Sequence, residues 1–412
     1  MGVIISAPTS VYDCRCNYYI FRRMIIMKKK ILAGLLALAM TATLFAGCGG
    51  NNDAPANNND ASTGTEAAGT AGTESDVKVS VFWYDESDVY LSTVRTELNE
   101  ELDALGVEYD NQFAANDQAK QIDQIKTAIA GGSNVLIVNV VTSGAPDTAE
   151  DILAAAGDIP VIFFNRAIGT DGSDVTVLSE NPTACFIGTD APEAGHMQGK
   201  MVGEYVLANY DTVDLNGDGV ISYAMMKGDE ANIEAIYRTQ YGVEDANAVL
   251  TAAGKPALAY FDASNTDCYQ VDQGGAWSAA AAKEYMDTNF VTYNEGAGNM
   301  IELVICNNDG MAEGVVASLQ DKGYNKEGGH VVPVFGVDAT DNAKALIADG
   351  AMTGTVKQDA DGMAAAITQT LTGIAGGLAP ADALAALTDA RFSLAADCNG
   401  KLFVAYAPYT AE

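Results

Sequence analysis

Residues 134–141, NVLIVNVV, and residues 159–165, IPVIFFN, decide the fold of this chain, and an Ala-rich segment of helical character lies between them. Both runs are short and rich in Val, Ile, Leu and Phe, without the alternation of a half-exposed strand. Strands that are apolar on both faces are typical of parallel sheets covered by helices on each side. The stretch therefore predicts a strand–helix–strand unit of an α/β protein.

The same alternation of apolar runs and Ala-rich helical segments continues outward in both directions from this stretch. The further runs are KVSVFWY (78–84), VEYDNQF (107–113), VISYAMMKG (220–228), ALAYFDA (257–263), IELVICNN (301–308), VVPVFGVDA (331–339) and TGTVKQD (353–359). Residues 78–412 exceed what one hydrophobic core comfortably holds, so the pattern predicts two α/β lobes with helices on both faces of each sheet.

Polar side chains lie at or directly after the ends of several predicted strands. They are Asn139, Asn308, Asp338 and Gln358. Each of them alone is also typical of a turn or a helix cap. Because ligands of open parallel sheets gather at the carboxyl ends of the strands, the four together predict a binding site at that edge.

Residues 214–222, DLNGDGVIS, have the spacing of a calcium loop. Oxygen-bearing side chains occupy its first, third, fifth and ninth positions, Gly219 is sixth, and Val220 in the seventh position offers its carbonyl. The twelfth position is Met225 where an EF-hand has a bidentate Glu, so a distant carboxylate must complete the shell. A turn that only resembles a calcium loop is the alternative.

The N-terminal part carries an export signal that begins at Met27, whereas residues 1–26 fit no part of one and indicate a spurious extension. Lys28–Lys30 form the charged region, Ile31–Leu44 the apolar region, and Phe45–Cys48 a small-residue cleavage site that ends on a cysteine. The apolar run is shorter than the roughly 20 residues that span a bilayer, which argues against a transmembrane anchor.

We therefore expect residues 27–47 to be a lipoprotein signal peptide, and we expect cleavage and lipidation at Cys48. Residues 48–76 contain almost no large apolar side chain, so we expect them to form a disordered tether. The mature protein would then be extracytoplasmic and lipid-anchored to the outer face of the cell membrane.

The charge of the chain excludes one class of partner. The formal net charge is −33. Residues 1–47 contain six of the 22 Lys and Arg residues and one of the 55 Asp and Glu residues, so the remainder carries −38. Such an acidic protein repels nucleic acid and anionic headgroups, so we expect no nucleic-acid binding and membrane contact through the lipid alone.

Taken together, residues 78–410 resemble the periplasmic-type glucose/galactose-binding proteins. The landmarks are NDQAKQIDQIKTAIAGGSNVLIVNVV (116–141), PVIFFN (160–165), FIGTD (186–190), DLNGDG (214–219), IELVICNNDGMAEG (301–314), PVFGVDA (333–339) and TGTVKQDA (353–360). The resemblance implies an α/β fold of two Rossmann-like, doubly wound lobes with a three-segment hinge, the periplasmic binding protein type 1 architecture.

The resemblance also implies where the lobes begin and end. The N-terminal lobe is expected over 78–188 and 360–394, and the C-terminal lobe over 189–359 and 395–412. The chain is then expected to cross between lobes near 187–190, 357–360 and 394–397.

The resemblance carries two sets of site residues. The sugar-binding set is Asp88, Tyr90, Asn139, Asn232, Glu234, Arg238, Trp277, Asn308, Asp338 and Gln358, with Tyr90 and Trp277 as aromatic lids. The set for a structural Ca²⁺ is Asp214, Asn216, Asp218, the Val220 carbonyl, Ser222 and Glu302.

Several sugar-site positions depart from the family's usual residues. Asn232 replaces a histidine, Glu234 an aspartate, Gln358 an asparagine and Tyr90 a phenylalanine. Asp85 and Glu86 lie close to Asp88 in the stretch WYDESDVY, and the aromatic spacing favours Asp88. The exact monosaccharide therefore stays open.

The function implied is that of a solute-binding lipoprotein, a monomer that binds a monosaccharide, first glucose or galactose, and delivers it to the permease of an ABC importer. A sensor that presents the sugar to a membrane receptor and a receptor for another monosaccharide are the alternatives. A glycosidase would need a carboxylate pair in a catalytic motif, and we recognise none. A transcriptional regulator of this architecture would need a helix-turn-helix and a basic face, which the signal and the acidic charge contradict.

Overall fold

The structure is a computed structural model that describes residues 77–411. The expectations for residues 1–26, 27–47 and 48–76, including lipidation at Cys48, lie outside the described residues. All described residues fall in one compact unit of the chain, which contains two sheets. Within 77–411, no helix is both long enough and apolar enough to cross a membrane.

Fourteen strands and twelve α-helices follow one another along the described residues. The first are β1 (Lys78–Trp83), α1 (Val89–Leu105), β2 (Glu108–Phe113), α2 (Gln118–Ala130), β3 (Val135–Val138), α3 (Pro146–Ala156), β4 (Val161–Phe164), α4 (Ser173–Glu180), β5 (Ala184–Gly188), α5 (Ala191–Ala208) and α6 (Tyr210–Val213). The chain continues with β6 (Ser222–Lys227), α7 (Ile233–Ala252), β7 (Ala259–Tyr260), β8 (Gln270–Val271), α8 (Ala279–Thr292), a 3₁₀ turn (Glu295–Ala297), β9 (Leu303–Cys306), α9 (Asp309–Lys322), β10 (Val334–Asp338), α10 (Asp341–Ala348), β11 (Gly354–Lys357), α11 (Ala360–Ala375), α12 (Pro380–Ala385), β12 (Phe392–Ala395), β13 (Cys398–Val404) and β14 (Ala407–Thr410).

Each lobe is built on one sheet. In the first lobe the strand order is β12-β13-β5-β4-β3-β1-β2, and in the second it is β14-β11-β10-β9-β6-β7, with β8 also paired to β6. All pairs are parallel except β12 with β13 and β11 with β14. The α/β class and the two-lobe architecture expected from the sequence are confirmed.

The short central strands are buried on both faces, as their apolar runs predict. In β3, Val135 and Ile137 pack in the same hydrophobic cluster as side chains of α1 and α11. Leu136 and Val138 pack on the opposite face, with side chains of α2, α3 and α4. Because successive side chains of a strand alternate between faces, a strand between two helical layers must be apolar at every position.

The chain crosses between the lobes three times: at Thr189 between β5 and α5, at Gln358 between β11 and α11, and at Tyr406 between β13 and β14. The sequence placed the third crossing near 394–397 and assigned 395–412 to the C-terminal lobe, and this was wrong. Strand β13 pairs with β5 of the first sheet, with Leu402 opposite Ile187. The hairpin of β12 and β13 thus completes the first lobe, and only the residues after β13 reach the second.

Helix α7, which carries the predicted site residues Glu234 and Arg238, is held against α5 at very short range. A stripe of glycines in α5 makes this approach possible: Cβ atoms built at Gly195 and Gly199 would lie 2.4 Å from the Tyr237 carbonyl oxygen and 2.2 Å from the Tyr241 carbonyl oxygen. Side chains at these two positions would push α7 away. The glycines therefore fix the start of α7 at the cleft.

Candidate functional site

A cavity lies between the lobes, at the carboxyl ends of the strands of both sheets. Its walls are almost entirely polar or aromatic side chains. From the first lobe they are Asp88, Tyr90, Asn165 and Arg166, and from the second lobe and the hinge they are Asn232, Glu234, Arg238, Trp277, Asn308, Asp338 and Gln358. The structure thus brings nine of the ten predicted sugar-site residues to one cavity.

Asn139 is the predicted residue that does not line the cavity. Its side chain is fully buried and donates to the Phe164 carbonyl and to Asn165 Oδ1, both at 3.1 Å. Its own Oδ1 accepts the Tyr84 amide at 3.4 Å. Asn139 therefore supports the turn behind the wall, and Asn165 is the side chain that reaches the cavity.

Asn165 and Arg166 are cavity residues that the sequence prediction missed. They directly follow the apolar run of β4, so the strand-end rule that selected the other polar residues would have found them. Asn165 has φ +60°, a left-handed conformation that asparagine tolerates better than most residues. The Arg166 guanidinium lies 4.0 Å from the Tyr84 ring centroid and donates to the Val141 carbonyl at 3.0 Å.

Asp88 begins α1 and faces the cavity. Its Oδ1 accepts the Leu91 amide at 2.8 Å as a helix cap, and its Oδ2 accepts the Tyr84 hydroxyl at 2.7 Å. Asp85, the alternative considered from the sequence, caps a local turn through the Ser87 amide and does not line the cavity. The structure therefore favours Asp88 over its neighbour.

Two more helices begin at the cavity with an asparagine cap. Asn232 Oδ1 accepts the Glu234 amide at 2.8 Å, and Asn308 Oδ1 accepts the Met311 amide at 2.9 Å. The amide nitrogens of both side chains stay available for a ligand. Because the cap bonds fix the rotamers, these two polar groups are positioned before any ligand arrives.

Trp277 forms an aromatic face of the cavity. It is 8% exposed and adopts a left-handed φ of +55°. Its indole lies against the backbone of Gly228, where a built Cβ would fall 2.1 Å from ring carbons. A residue larger than glycine at position 228 would displace the ring. With Tyr90, which is 6% exposed, Trp277 supplies apolar faces that suit the C–H surfaces of a sugar ring.

Asp338 contributes a buried carboxyl group, at a φ of +128°. Burial raises the pKa of Asp338 well above its usual value, the nearby Asp309 carboxylate raises it further, and the Arg238 guanidinium opposes the rise. Asp309 is fully buried behind it, bonded to the Thr355 hydroxyl at 2.6 Å and the Thr340 amide at 2.9 Å. Together the two acids form a buried pair at the base of the cavity.

Four hydrogen-bonding groups of the cavity wall have no partner. Among the described residues, eight buried side-chain polar atoms lack one, and the four on the cavity wall are Tyr90 Oη, Arg166 Nε, Arg238 Nε and Gln358 Nε2. All four can donate. Since buried polar groups are nearly always paired, a ligand with oxygen acceptors is expected here. The carboxylates on the same wall require donors, and hydroxyl groups meet both needs.

The predicted calcium residues lie together on the loop before β6 and at the start of β9. Asp214 accepts the Gly217 and Gly219 amides at 2.7 and 2.9 Å. Glu302, fully buried, accepts the Asn216 amide at 2.7 Å and the Ser222 amide at 2.8 Å. Burial raises the pKa of Glu302, and these two amides oppose the rise.

The remaining candidate ligands of this loop are also engaged with the backbone. Asp218 accepts the Val220 amide at 2.9 Å, and the Asn216 side chain pairs with both backbone groups of Met300 at 2.7 and 2.9 Å. Within 77–411, no three acidic, histidine or cysteine side chains converge as a metal site. The oxygen donors suit calcium in kind, but their present arrangement is a hydrogen-bonded brace.

Comparisons with known proteins agree with this fold. The model of the periplasmic binding protein domain matches residues 79–379. The D-galactose/methyl-galactoside binding periplasmic protein of Haemophilus influenzae is 31% identical over 302 residues, which are 73% of this chain and 82% of that protein. A putative rhizopine-binding protein of Rhizobium meliloti is 28% identical over 62% of this chain and 71% of its own length.

Solved structures show the same fold at lower identity. An ABC transporter solute binding protein from Clostridium phytofermentans with bound β-D-glucose has a TM-score of 0.59 and 21% identity, over 81% of this chain and 94% of its own. One from Bacillus halodurans with bound myo-inositol has a TM-score of 0.58 and 21% identity, over 82% and 96%.

Proposed function

This chain belongs to the periplasmic binding protein family, and on that premise we propose that it binds a monosaccharide between its lobes and delivers it to an ABC importer. The family consists of solute-binding transport proteins. The observation that carries the proposal is the cavity wall, which combines unpartnered donors, carboxylates and two aromatic side chains. A ring with several hydroxyl groups matches that wall.

Glucose and galactose are the first candidates for the ligand. The Haemophilus relative is named for D-galactose, and the two solved structures hold β-D-glucose and myo-inositol, which are ring compounds with many hydroxyl groups. Planar side chains such as Asn232 and Asn308 each keep an amide nitrogen with two N–H donors that can contact adjacent hydroxyls, and donors placed in this way let a protein distinguish one sugar from its epimer. Another monosaccharide is the alternative.

The transport step follows from the position of the cavity. Both lobes contribute walls, so a bound sugar makes contacts on both sides and stabilises the closed arrangement. Tyr90 and Trp277 then cover the ring, and the outer surface of the closed lobes is what the permease recognises. Release of the sugar requires the hinge to open, because opening moves the residues of one lobe away from the sugar.

Two further proposals concern attachment and stability. We propose that Cys48 is lipidated and holds the protein to the outer face of the membrane, on the strength of the signal at 27–47. We also propose that the loop 214–222 binds a structural Ca²⁺ with Glu302. Its support is the all-oxygen donor set and the buried Glu302 carboxylate, which accepts two loop amides and forms no ion pair with a cationic side chain among the described residues.

Tryptophan fluorescence tests the sugar proposal, because the sequence contains two tryptophans and they have different surroundings. Trp277 lines the cavity, whereas Trp83 is fully buried in the first lobe. We expect a saturable change in emission when glucose or galactose is added to the soluble chain from residue 49 onward. The variant Trp277→Phe should lose the change. A response that survives in Trp277→Phe would place binding outside this cavity.

A further inference from the structure

The three crossings between the lobes meet in one buried polar cluster beside the cavity. Thr189 belongs to the first crossing, Gln358 to the second and Tyr406 to the third. The Tyr406 hydroxyl lies 2.9 Å from Thr189 Oγ1 and 3.0 Å from Glu234 Oε2. All of these residues are less than 9% exposed. Side chains that are far apart in the sequence thus form hydrogen bonds with one another at the hinge.

Glu234 is the acceptor at the centre of this cluster. Its Oε1 accepts the Thr189 hydroxyl at 2.8 Å, and its Oε2 lies 3.1 Å from Arg238 Nη2 and 3.0 Å from the Tyr406 hydroxyl. Both carboxylate oxygens therefore face the hinge. An aspartate would be shorter by one methylene, about 1.5 Å, which exceeds the tolerance of a hydrogen bond. The longer side chain is what reaches the crossings.

Arg238 joins the cluster to the ligand cavity. Its Nη2 lies within 3.1 Å of acceptors on Glu234, Gln358 and Tyr406, and its Nη1 donates to the Asn307 carbonyl at 2.9 Å. The Nε atom has no partner, and Arg238 lines the cavity. The hinge cluster thus holds the guanidinium plane and leaves one donor for a ligand.

We propose that Glu234, Thr189 and Tyr406 form a hinge cluster that fixes Arg238 relative to the three crossings, so that Glu234 acts as a positioning residue for the hinge and not as a ligand of the sugar. The role of the cluster in sugar binding rests on the proposed function. Thr189 and Tyr406 do not line the cavity. A buried carboxylate and guanidinium need this pairing, so hinge angles that break it are disfavoured.

The test removes single hydroxyl groups at the hinge and measures binding and hinge opening separately. The variants are Tyr406→Phe and Thr189→Val, with Glu234→Asp as the shortened acceptor and Tyr409→Phe as the matched control. Tyr409 is a tyrosine of the same terminal segment, in β14, outside the cluster. Calorimetry gives the Kd for a panel of monosaccharides, and hydrogen exchange reports on the three crossings.

We expect Tyr406→Phe, Thr189→Val and Glu234→Asp to raise Kd about tenfold for every sugar that binds, with the order of preference among sugars unchanged. We expect faster amide exchange at 187–190, 357–360 and 404–407 together, although each variant changes one position. Tyr409→Phe should change neither.

Three results would overturn the cluster: normal affinity in Tyr406→Phe, a changed order of sugar preference in that variant, or faster exchange confined to 404–407. Exchange does not require a ligand, so the cluster is tested even if wild-type protein binds no sugar. Absence of binding in wild type would refute the proposed function, whereas normal affinity in Tyr406→Phe would refute the cluster alone.

Discussion

At the scale of single residues, the polar side chains at the cavity are of two kinds: those that line it and those that hold the lining residues in place. Asn139 and Asn165 both follow apolar strand residues, yet only Asn165 lines the cavity, and Asn139 lies behind it with three hydrogen bonds. The two asparagines look alike in the sequence. Their roles differ because Asn165 follows the end of β4 in a left-handed turn, whereas Asn139 is enclosed by its neighbours.

Because of these roles, we expect mutation of Asn139 to affect mainly stability and mutation of Asn165 to affect mainly sugar binding. We expect Asn139→Ala to lower the free energy of unfolding by about 1–3 kcal/mol, because buried backbone groups lose their partners. Asn165→Gly should change stability by less than about 1 kcal/mol, since glycine accepts φ +60° without strain, but should weaken sugar binding. Urea unfolding and calorimetry of both variants test this. Greater destabilisation by Asn165→Gly would show that the assignment is reversed.

Asp309 gives the protein a specific pH dependence. Burial raises the pKa of Asp309 to about 7, against about 3.9 for an unfolded aspartate. The folded state then binds more protons than the unfolded state between these values, so this group stabilises most at low pH, and its contribution falls as pH rises from about 4 to about 7.

The variant Asp309→Asn should reduce the slope of stability against pH in that window, as measured by urea unfolding at several pH values. A smaller slope should remain, because the pKa of Asp338 is also raised. Asp341→Asn removes a fully exposed aspartate in the next helix and should leave the profile as in wild type. A wild-type slope that persists in Asp309→Asn would assign the titration to another group.

At the scale of elements, the loop before β6 is held either by its own hydrogen bonds or by these and a cation. The bonds from Glu302 to two loop amides are in place in the structure. A cation that binds only the folded loop would add stability in proportion to its occupancy.

We expect thermal unfolding in 1 mM Ca²⁺ to occur a few degrees above unfolding in chelator, because a calcium ion bound by the loop and Glu302 would stabilise the folded state. Glu302→Gln should lose the difference, while Asp211→Asn, in helix α6 just before the loop, should keep it. Identical unfolding of wild type in calcium and in chelator would show that hydrogen bonds alone hold the loop.

The elements also show how far the sequence could predict this structure. Strands such as β3 and β4 were predictable because burial on both faces requires an unbroken apolar run. The place of β13 was not, since it alternates exposed and buried residues and its partner β5 lies about two hundred residues earlier. Such a pairing depends on the packing of the whole first lobe. The residue types that line the cavity were also predictable from the sequence. The orientation of the Glu234 carboxylate toward the hinge was not, because it depends on contacts with Thr189 and Tyr406, which are distant in the sequence.

At the scale of the whole molecule, an ion pair joins the lobes across the mouth of the cleft. Arg166 of the first lobe lies 3.4 Å from Asp229 Oδ2 of the second, with 6% and 21% of the two side chains exposed. Glu230, the next residue, pairs within its own lobe with Lys227. Loss of Asp229 should therefore affect closure, and loss of Glu230 should not.

We expect Asp229→Asn to speed sugar dissociation about twofold to fivefold, because the pair is partly buried and resists opening of the lobes. Glu230→Gln removes the same charge from the same loop and should dissociate at the wild-type rate. Stopped-flow fluorescence at low and at 1 M salt measures both, and the difference should shrink in high salt. Equal rates for the two variants would mean that the ion pair does not hold the lobes together.

The central claim, that a monosaccharide binds between the lobes, is tested most directly by calorimetry. The chain from residue 49 onward is unfolded to remove any retained sugar, refolded, and titrated with glucose, galactose, ribose, xylose and myo-inositol. The account predicts saturable one-to-one binding of glucose or galactose that is lost in Trp277→Ala and kept in Val291→Ala, a change at an exposed residue of α8. Absence of binding by every monosaccharide tested, in a protein that refolds cooperatively, would contradict it.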